Sequence, residues 1–295
     1  SFNDISNKLP INFLLNDSKG LTKKSNNEFI SKYTVKLDDL DRTIEVTSYY
    51  SFFNKASKNN SLQDIGGIYN YSINDIRLNL SNFYSRADVS YPFKNIDLML
   101  NAGVKYSYIN ALTEGKYNLN NLTNLFESPF YSNFIDFDYL ESNLAIYSEF
   151  KKKLGKFQIG GGLRWENLKY NSKVEQYNKE IKYASGNIFP SLNFLYNITS
   201  NISFVSSYSK KISSPSYSDL DPNNSGYFDK YNSSTGNPLL KPSFSNNYEA
   251  KITAFNYVFI GANYSKIKDA NMVVFEVQDN SILTNKTIKT FSEVN

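Results

Sequence analysis

The chain has 295 residues, and its 32 Lys and Arg residues against 28 Asp and Glu residues give a net charge of +4 without a basic block. The sequence therefore has no cluster of basic residues of the kind that binds nucleic acids. Cys and His are both absent, which removes disulfides, thiolate metal sites, His-ligated zinc or haem and the usual general base. We expect no enzyme, no metal site and no cofactor, and a carboxylate-only hydrolase is the one enzyme class left open.

Hydrophobic residues recur with a period close to two along most of the chain, which predicts β-strands with one wet face. In chain order, the predicted strands are 28–38, 43–53, 77–91, 96–109, 137–151, 155–170, 188–199, 202–212, 244–255, 258–275 and 284–293. The longest apolar runs, such as Met272–Phe275, span only a few residues. A transmembrane helix needs roughly 20 apolar residues, so helical membrane spans are excluded.

The predicted connections alternate between short and long. Tight turns are expected near Asp38–Asp41, Pro92–Asn95, Lys152–Leu154, Thr199–Asn201 and Asn256–Tyr257. The long connections are 54–76, 110–136, 171–187 and 213–243. This alternation is typical of a transmembrane barrel, which has brief periplasmic turns at one rim and extended extracellular loops at the other. We therefore predict an all-β fold, a transmembrane antiparallel β-barrel in the bacterial outer membrane.

The composition alone is also compatible with a soluble, strand-rich binding protein. Aromatic residues make up 16% of the chain, with 24 Tyr and 22 Phe, while the mean hydropathy is only −0.47. In a barrel, one side of each strand contacts lipid and the other faces inward. The residues expected to face lipid are Leu98, Leu100, Val104, Phe157, Ile159, Leu163, Leu192, Phe194 and Ile252; those expected to face inward include Asn101, Lys105 and Asn193.

Two groups of residues are candidates for function. An acidic and aromatic loop offers rings for stacking and carboxylates for polar contacts or Ca²⁺, and its members are Tyr217, Asp219, Asp221, Tyr227, Asp229 and Tyr231. The alternative is a packed loop whose Pro and Asp residues fix turns. The polar strand faces carry a second group that could line a path or contact a plug: Glu141, Glu149, Arg164, Glu166, Glu249 and Lys251. The alternative for these is a lattice of hydrogen bonds and weak ion pairs.

Five motifs between residues 137 and 264 resemble those of one protein family. They are Phe137–Glu141 with Ala145–Tyr147 (F-x-Y-x-E…A-x-Y), Gly161–Glu166 (G-L-R-x-E), Phe189–Ser191 (F-P-S), Tyr208–Pro222 (Y-S-x-R-I-x-R-P-x-Y-x-x-L-N-P) and Gly236–Pro242 followed by Tyr248-Glu249 (G-N-P-x-L-x-P…Y-E). In this order, they resemble the barrel of TonB-dependent outer-membrane receptors. Lys211 and Ser214 stand where that family usually has Arg.

The resemblance implies a barrel of about 22 strands that surrounds an N-terminal plug. The eleven predicted strands amount to about half of such a barrel. We therefore expect residues 1–295 to be a single barrel-domain fragment, without the plug and the closing C-terminal strands.

The resemblance also implies a function, namely import of a bulky nutrient such as a metal chelate, a peptide or a glycan. The implied partners are outer-membrane lipid, the plug domain, periplasmic TonB and a cargo of unknown identity, with a surface lipoprotein as a further candidate. Two rivals stay open, namely a plugged barrel with a structural, adhesion or secretion role, and a soluble β-rich binding protein.

Overall fold

The computed structural model describes residues 14–65, 68–121, 131–175, 178–223, 232–234, 236–255, 257–278 and 283–294. Twelve strands are present: β1 Leu14–Lys36, β2 Thr43–Ile65, β3 Ile68–Phe93, β4 Leu98–Asn121, β5 Tyr131–Leu154, β6 Phe157–Val174, β7 Lys179–Asn197, β8 Ile202–Ser213, β9 Asn232–Ser234, β10 Ser243–Ala254, β11 Val258–Gln278 and β12 Leu283–Val294. A 3₁₀ turn lies at Lys94–Ile96, and one helix, α1, spans Tyr217–Leu220. No helix in these ranges is long and apolar enough to cross a membrane.

The strands form one open sheet in the order β1-β2-β3-β4-β5-β6-β7-β8-β10-β11-β12-β9. Each of the eleven longer strands pairs antiparallel with its neighbour, while the three-residue β9 pairs parallel with β12. This is the antiparallel meander predicted from the period of two, and all eleven predicted strands are confirmed. The sequence pattern did not indicate β9.

Three of the four predicted long connections are wrong, because the strands continue through most of them. β2 runs to Ile65 and pairs there with Ile68 of β3, so 54–76 is mainly strand. Likewise, β4 extends to Asn121, β5 begins at Tyr131, β6 ends at Val174 and β7 begins at Lys179. Among the described residues of these four connections, only 213–243 has long stretches outside the sheet, at 214–223 and 236–242. Gly66-Gly67 between two Ile residues is the sequence of a two-residue hairpin and could have revealed the first of these errors.

The β1–β2, β3–β4, β5–β6 and β7–β8 turns lie together at one end of the sheet, which we call the turn rim. In the β1–β2 turn, the Leu37 amide donates to the Arg42 carbonyl at 2.8 Å, and Arg42 Nη1 donates to Asp38 Oδ2 at 2.9 Å. The β5–β6 turn is Gly155-Lys156, later than the predicted 152–154, and Gly155 has φ +60°. A left-handed residue at this corner suits glycine, which has no Cβ to clash. The opposite end is the loop rim.

The sheet has two chemically different faces, because residues directly opposite one another on paired strands point the same way. Val104 lies opposite Ala87 and Ile146, on what we call the outer face. Asn101 lies opposite Ser90 and Glu149, on the inner face. The main buried cluster lies on the inner face near the loop rim and consists of Ala111, Phe137, Tyr139, Tyr170, Val174, Leu220 and Leu240.

Candidate functional site

The outer face carries an exposed apolar band. Leu163 is 62% exposed and Leu192 58%, although both are large aliphatic residues. The nine residues predicted to contact lipid all lie on this face; Leu98 and Phe194 are half-buried, and the other seven are exposed. The predicted orientation is therefore confirmed. A face of this kind is stable only against another apolar phase, because water would be in contact with every one of these side chains.

Aromatic side chains border this band on both sides. Towards the turn rim, Phe157 stacks on Tyr196 with ring centres 4.5 Å apart, and Phe194 lies beside Phe204 at 6.4 Å. Towards the loop rim, Tyr248 lies between Tyr208 at 5.0 Å and Tyr264 at 6.1 Å. On β4, the outward apolar positions run from Leu98 to Tyr108. Ten residue spacings of about 3.4 Å, tilted by about 40°, correspond to a height of roughly 26 Å, as the band of an outer-membrane barrel requires.

The inner face carries a belt of charges at the level of the band. Lys32 Nζ lies 2.8 Å from Glu45 Oε2, and Arg86 bridges Glu45 and Asp88 at 3.4 Å each. The belt continues through the Tyr147 hydroxyl, which donates to Asp88, to Arg164, which lies over the Tyr147 ring and pairs with Glu166. It joins β1, β2, β3, β5 and β6, and its polar character is suited to contact with water or protein inside a barrel.

Gly103 of β4 makes this belt continuous. A Cβ at Gly103 would lie 2.6 Å from Asp88 Oδ1 and 2.7 Å from the Tyr147 ring. The hydrogen bond between Asp88 and Tyr147 therefore passes directly over the glycine, and a side chain at this position would separate its two partners.

We call residues 214–242 the inner loop, and its described parts, 214–223 and 236–242, pack against the inner face near the loop rim. Helix α1 begins with a capping box, in which the Asp219 amide donates to Ser216 Oγ and the Ser216 amide donates to Asp219 Oδ2, both at 3.2 Å. Tyr217 packs between Phe137 at 5.6 Å and Tyr139 at 5.9 Å between ring centres. Its hydroxyl forms a hydrogen bond with Thr113 of β4. This side chain therefore fixes the loop to the wall.

Two buried polar residues complete the attachment. Asp221 Oδ2 accepts from Thr113 Oγ1 at 2.8 Å, and Asp221 Oδ1 accepts from the Asn223 amide, also at 2.8 Å. Burial raises the pKa of the Asp221 carboxyl, and hydrogen bonds from Asn223, Thr113 and Tyr217 oppose this shift only in part. Burial also raises the pKa of the Tyr217 hydroxyl, so it remains a neutral donor at physiological pH.

Asn223 fills the space above a second glycine. Its Nδ2 donates to the Ile135 carbonyl at 2.9 Å, and its Oδ1 accepts from the Tyr117 hydroxyl at 3.0 Å. A Cβ on Gly115 would lie only 2.1 Å from that Oδ1 atom. The inward positions Ala111, Thr113 and Gly115 are thus small because the loop lies on them.

The later part of the inner loop is equally well packed. Leu220 and Leu240 are fully buried, and the Tyr170 hydroxyl donates to the Leu240 carbonyl at 2.9 Å. The Asn237 amide donates to the Asp219 carbonyl at 2.6 Å, which ties the two arms of the loop together. The described parts of the loop are therefore a fixed lining of the wall.

The structure brings together three of the predicted loop residues, Tyr217, Asp219 and Asp221, in wall packing and helix capping. Tyr227, Asp229 and Tyr231 lie outside the described residues, so their role stays a prediction. Thr113, Gly115 and Tyr117 were missed, because 110–136 was interpreted as a loop, and Asn223, which contacts Gly115 and Tyr117, was missed with them. The run of small residues at alternate positions, Ala111-x-Thr113-x-Gly115, was the available signal for a close neighbour.

The six predicted inward residues all lie on the inner face. Glu141 Oε2 accepts from the Tyr139 hydroxyl, Glu149 Oε1 accepts from Asn101 Nδ2 at 3.0 Å, and Lys251 Nζ lies 5.5 Å from the centre of the Phe259 ring. Arg164 and Glu166 belong to the charged belt, and Glu249 lies opposite Ser207 and Asn263. In the described ranges, no group of three or more acidic residues is arranged to hold a metal ion.

Comparison with solved structures shows the same fold in outer-membrane receptors. The siderophore receptor PiuA of Acinetobacter baumannii is similar, with a TM-score of 0.56 and 16% identity over 90% of this chain and 42% of PiuA. The ferric-catecholate import receptor Fiu of E. coli K12 gives a TM-score of 0.56 and 12% identity over 92% of this chain and 43% of Fiu. BauA, the ferric preacinetobactin receptor of A. baumannii, gives a TM-score of 0.50 and 12% identity over 93% of this chain and 41% of BauA.

This chain thus spans about two fifths of the length of these receptors. At such low sequence identities, the similarity shows a shared fold and no more. No curated protein sequence matches the chain. A family model described as "Outer membrane protein beta-barrel family" matches residues 35–293, nearly the whole chain. Together with the lipid-exposed band, this match locates the protein in the bacterial outer membrane: the chain belongs to the outer membrane protein beta-barrel family.

Proposed function

We propose that this chain forms part of the barrel wall of a TonB-dependent receptor that imports a bulky nutrient across the outer membrane. The observation that supports this most strongly is the contrast between the two faces of one sheet. The outer face is apolar over the height of a bilayer, while the inner face at the same height carries a connected belt of charges. A wall of this kind would enclose a polar interior and present an apolar exterior to lipid.

We assign the turn rim to the periplasm and the loop rim to the cell exterior, since outer-membrane barrels have short periplasmic turns and the long connection between β8 and β10 leaves the sheet at the loop rim. The chain contains no Cys, so single cysteines report the orientation without interference. Leu239→Cys, at an exposed position of the inner loop, should react with an impermeant thiol reagent on intact cells, and Ser200→Cys in the β7–β8 turn should not. The reverse labelling pattern would invert this orientation.

In this proposal, the charged belt contacts the plug domain. Lys32, Arg86 and Arg164 offer donors, and Glu45, Asp88 and Glu166 offer acceptors, so the belt can hydrogen-bond to either kind of backbone group. The belt is half-exposed in the isolated wall and electrically mixed, which suits a removable protein surface better than a single charged cargo.

The inner loop has a separate role in the proposal. Because it is fixed to the wall through Tyr217, Asp221 and Asn223, it narrows the outer vestibule. The predicted ligand contacts, Tyr227, Asp229 and Tyr231, follow directly in the sequence. The cargo would then be a metal chelate, a peptide or a glycan, and the fixed arms of the loop would hold the contacting segment in place.

Uptake measured in paired strains tests the function. The full-length protein would be expressed in cells that lack other receptors of this fold, with and without TonB, and offered labelled ferric chelates, peptides and glycans. We expect saturable uptake of one class that disappears in the strain lacking TonB. An assembled, surface-exposed barrel that takes up no tested class would support the structural or adhesion role, and equal uptake in both strains would exclude energy coupling.

A further inference from the structure

The inner face has two parts that lie at the same depth in the membrane and differ in charge. Depth is counted from the residues that border the outer apolar band towards the loop rim. On β1–β4 the border is the aromatic row Phe29–Tyr50–Phe83–Tyr108, and on β7, β8, β10 and β11 it is the tyrosine row Leu192–Tyr208–Tyr248–Tyr264. Aromatic residues mark the edge of the hydrocarbon layer, so inward residues one, three and five positions below the two rows lie at matching depths.

Below the aromatic row, the inner face of β1–β4 is densely charged. The twelve residues at these depths are Ile30–Tyr49–Tyr84–Ser107, Lys32–Thr47–Arg86–Lys105 and Thr34–Glu45–Asp88–Gly103. Five of them are charged, and four of these five are linked by the ion pairs of the charged belt. The fifth, Lys105, has its Nζ atom 5.0 Å from the centre of the Tyr84 ring. This part of the wall offers charge-assisted hydrogen bonds, which are about twice as strong as neutral ones.

Below the tyrosine row, the inner face carries little charge. The twelve residues at the same depths, which we call the low-charge sector, are Asn193–Ser207–Glu249–Asn263, Leu195–Val205–Lys251–Gly261 and Asn197–Ser203–Thr253–Phe259. Two of them are charged, Glu249 and Lys251, and neither forms an ion pair within the residues that the structure describes. Lys251 Nζ lies over the Phe259 ring instead, 5.5 Å from its centre.

The low-charge sector is broad and offers weak polar contacts. It crosses four strands, which at about 4.8 Å per spacing makes it about 14 Å wide. At Asn193 it adjoins a recess of about 240 Å³ whose lining includes Gln158 and Gly160 of β6. Asn and Ser side chains both donate and accept hydrogen bonds, so they can exchange partners with many kinds of polar molecule. A transport path needs contacts of this kind, because a passing solute must bind and then leave.

We propose that cargo passes between the plug and the low-charge sector, while the charged belt keeps the plug attached to β1–β6. This inference rests on the proposed receptor function and adds the side of the wall on which the passage opens. Proteins open first where their contacts are fewest and weakest. Separation at the belt would leave charged groups without their partners, which costs more than the loss of neutral hydrogen bonds. The path accepts polar cargo of either sign, since it carries one carboxylate and one ammonium group.

Two matched cysteine variants of the full-length protein test which side opens. Ser207→Cys lies in the low-charge sector and Ser107→Cys lies among the charged residues of β1–β4. Both serines are half-buried and lie one position below their border row, and the chain has no native Cys. Cells with and without TonB would receive ferric chelates, peptides and glycans together with a small impermeant thiol reagent. Labelling and uptake would be measured in the same cells.

We expect Ser207→Cys to be labelled roughly tenfold faster in cells with TonB, because opening exposes a thiol that the plug otherwise covers. Ser107→Cys should be labelled at the same rate in both strains. Acceleration at Ser107→Cys alone, equal acceleration at both positions, or uptake without acceleration at either would overturn the path and leave the receptor function standing. Absence of uptake in both strains would overturn the receptor function and the path with it.

A charge variant tests the role of the belt. Arg86→Gln removes the cation that bridges Glu45 and Asp88 at 3.4 Å each. In Ser107→Cys/Arg86→Gln, labelling should become faster with TonB, because the plug is held less firmly on this side. Ser107→Cys/Lys251→Gln is the control, which removes one cation from the sector and should leave labelling equal in the two strains. Lys32→Gln replaces Arg86→Gln if that variant does not give a heat-modifiable barrel. Equal labelling in both strains for the belt variant as well would show that the belt does not hold the plug, and would overturn the proposal.

Discussion

Two parts of the same strands differ in what holds them in place. In the lipid band, β4 from Leu98 to Tyr108 alternates apolar outward residues with polar inward ones. Above the band, the outer face of β4 from Asn110 to Asn120 is mainly polar, and on its inner face the small residues Ala111, Thr113 and Gly115 pack against the inner loop. Contact with lipid determines the residue pattern of the first part, whereas contacts with individual side chains determine the pattern of the second.

The upper part of the sheet itself uses two solutions. On β1 and β2, exposed polar pairs cross between the strands, such as Ser18 Oγ donating to Asn59 Oδ1 at 3.0 Å and Thr22 Oγ1 lying 3.0 Å from Ser57 Oγ. On β4–β6, the inner loop covers the wall and buries Phe137, Tyr139 and Tyr170. The parts of the strands above the apolar band are therefore stabilised without lipid, either by polar side-chain pairs between strands or by the inner loop packed over them.

The largest expected effect separates the band from the extension on a single strand. Val104→Lys places a charge in the middle of the outward band, and we expect it to destabilise the folded barrel in lipid vesicles by about 2–4 kcal/mol. Leu112→Lys is the control on the same face of the same strand, above the aromatic row, and should cost at most about 1 kcal/mol. Urea titration of the full-length protein, followed by tryptophan fluorescence, measures both. Equal costs would mean that the band does not lie in hydrocarbon.

The attachment of the inner loop gives the next largest effect. Gly115→Val forces Asn223 off the wall, since a Cβ there would lie 2.1 Å from its Oδ1 atom. Losing the buried hydrogen bonds of Asn223 should weaken loop docking by roughly 2 kcal/mol, and hydrogen exchange in 216–223 should accelerate about 30-fold. Assembly of the strands should persist, because their hydrogen-bond ladder is unchanged.

Gly186→Ala is the matched control for that substitution. A Cβ at Gly186 finds its nearest neighbour, Trp165 Nε1, at 3.5 Å, which is ordinary contact. Hydrogen exchange in the inner loop should stay at the parent rate. Acceleration in both glycine variants would indicate general loosening of the sheet and would contradict a specific loop anchor.

The same division explains what the sequence could and could not predict. The strands were recognisable wherever lipid imposes alternation, as from Ile96 to Tyr108. They were missed at 54–65, where Ser, Asn and Lys occupy both faces, and at 110–121, where Asn is frequent and Gly, Glu and Lys interrupt the apolar pattern. Both compositions resemble that of a loop. Tyr217 and Asp221 were identified as important residues, but their wall contacts depend on Thr113 and Phe137, about a hundred residues away along the chain. No local pattern contains pairings over that distance.

Loop docking should also depend on pH through Asp221. Burial raises the pKa of this carboxyl in the docked loop above its ordinary value of 3.8. The docked state therefore binds a proton more readily than the undocked state, and the resulting stabilisation is fully present below pH 3.8 and lost as pH rises through the docked pKa. We expect exchange in 216–223, corrected for its intrinsic pH dependence, to slow as pH falls from 7 towards 3.8. Asp221→Asn should abolish this pH dependence of exchange. A pH dependence that remains in the variant would arise from another titratable group.

The smallest expected effect compares one hydroxyl in the two environments of the upper sheet. Thr22 Oγ1 lies 3.0 Å from Ser57 Oγ in an exposed cross-strand pair, whereas Thr113 is fully buried beneath the inner loop. Thr22→Val should change stability by less than about 0.5 kcal/mol, since water replaces the lost partner. Thr113→Val leaves the buried Asp221 carboxylate without one of its donors and should cost about 1–3 kcal/mol of loop docking. Urea unfolding and loop hydrogen exchange, measured on both variants, give the two values. If Thr22→Val proves as costly as Thr113→Val, the exposed pairs of β1 and β2 would support the extension as strongly as the loop does, and the difference between the two solutions would disappear.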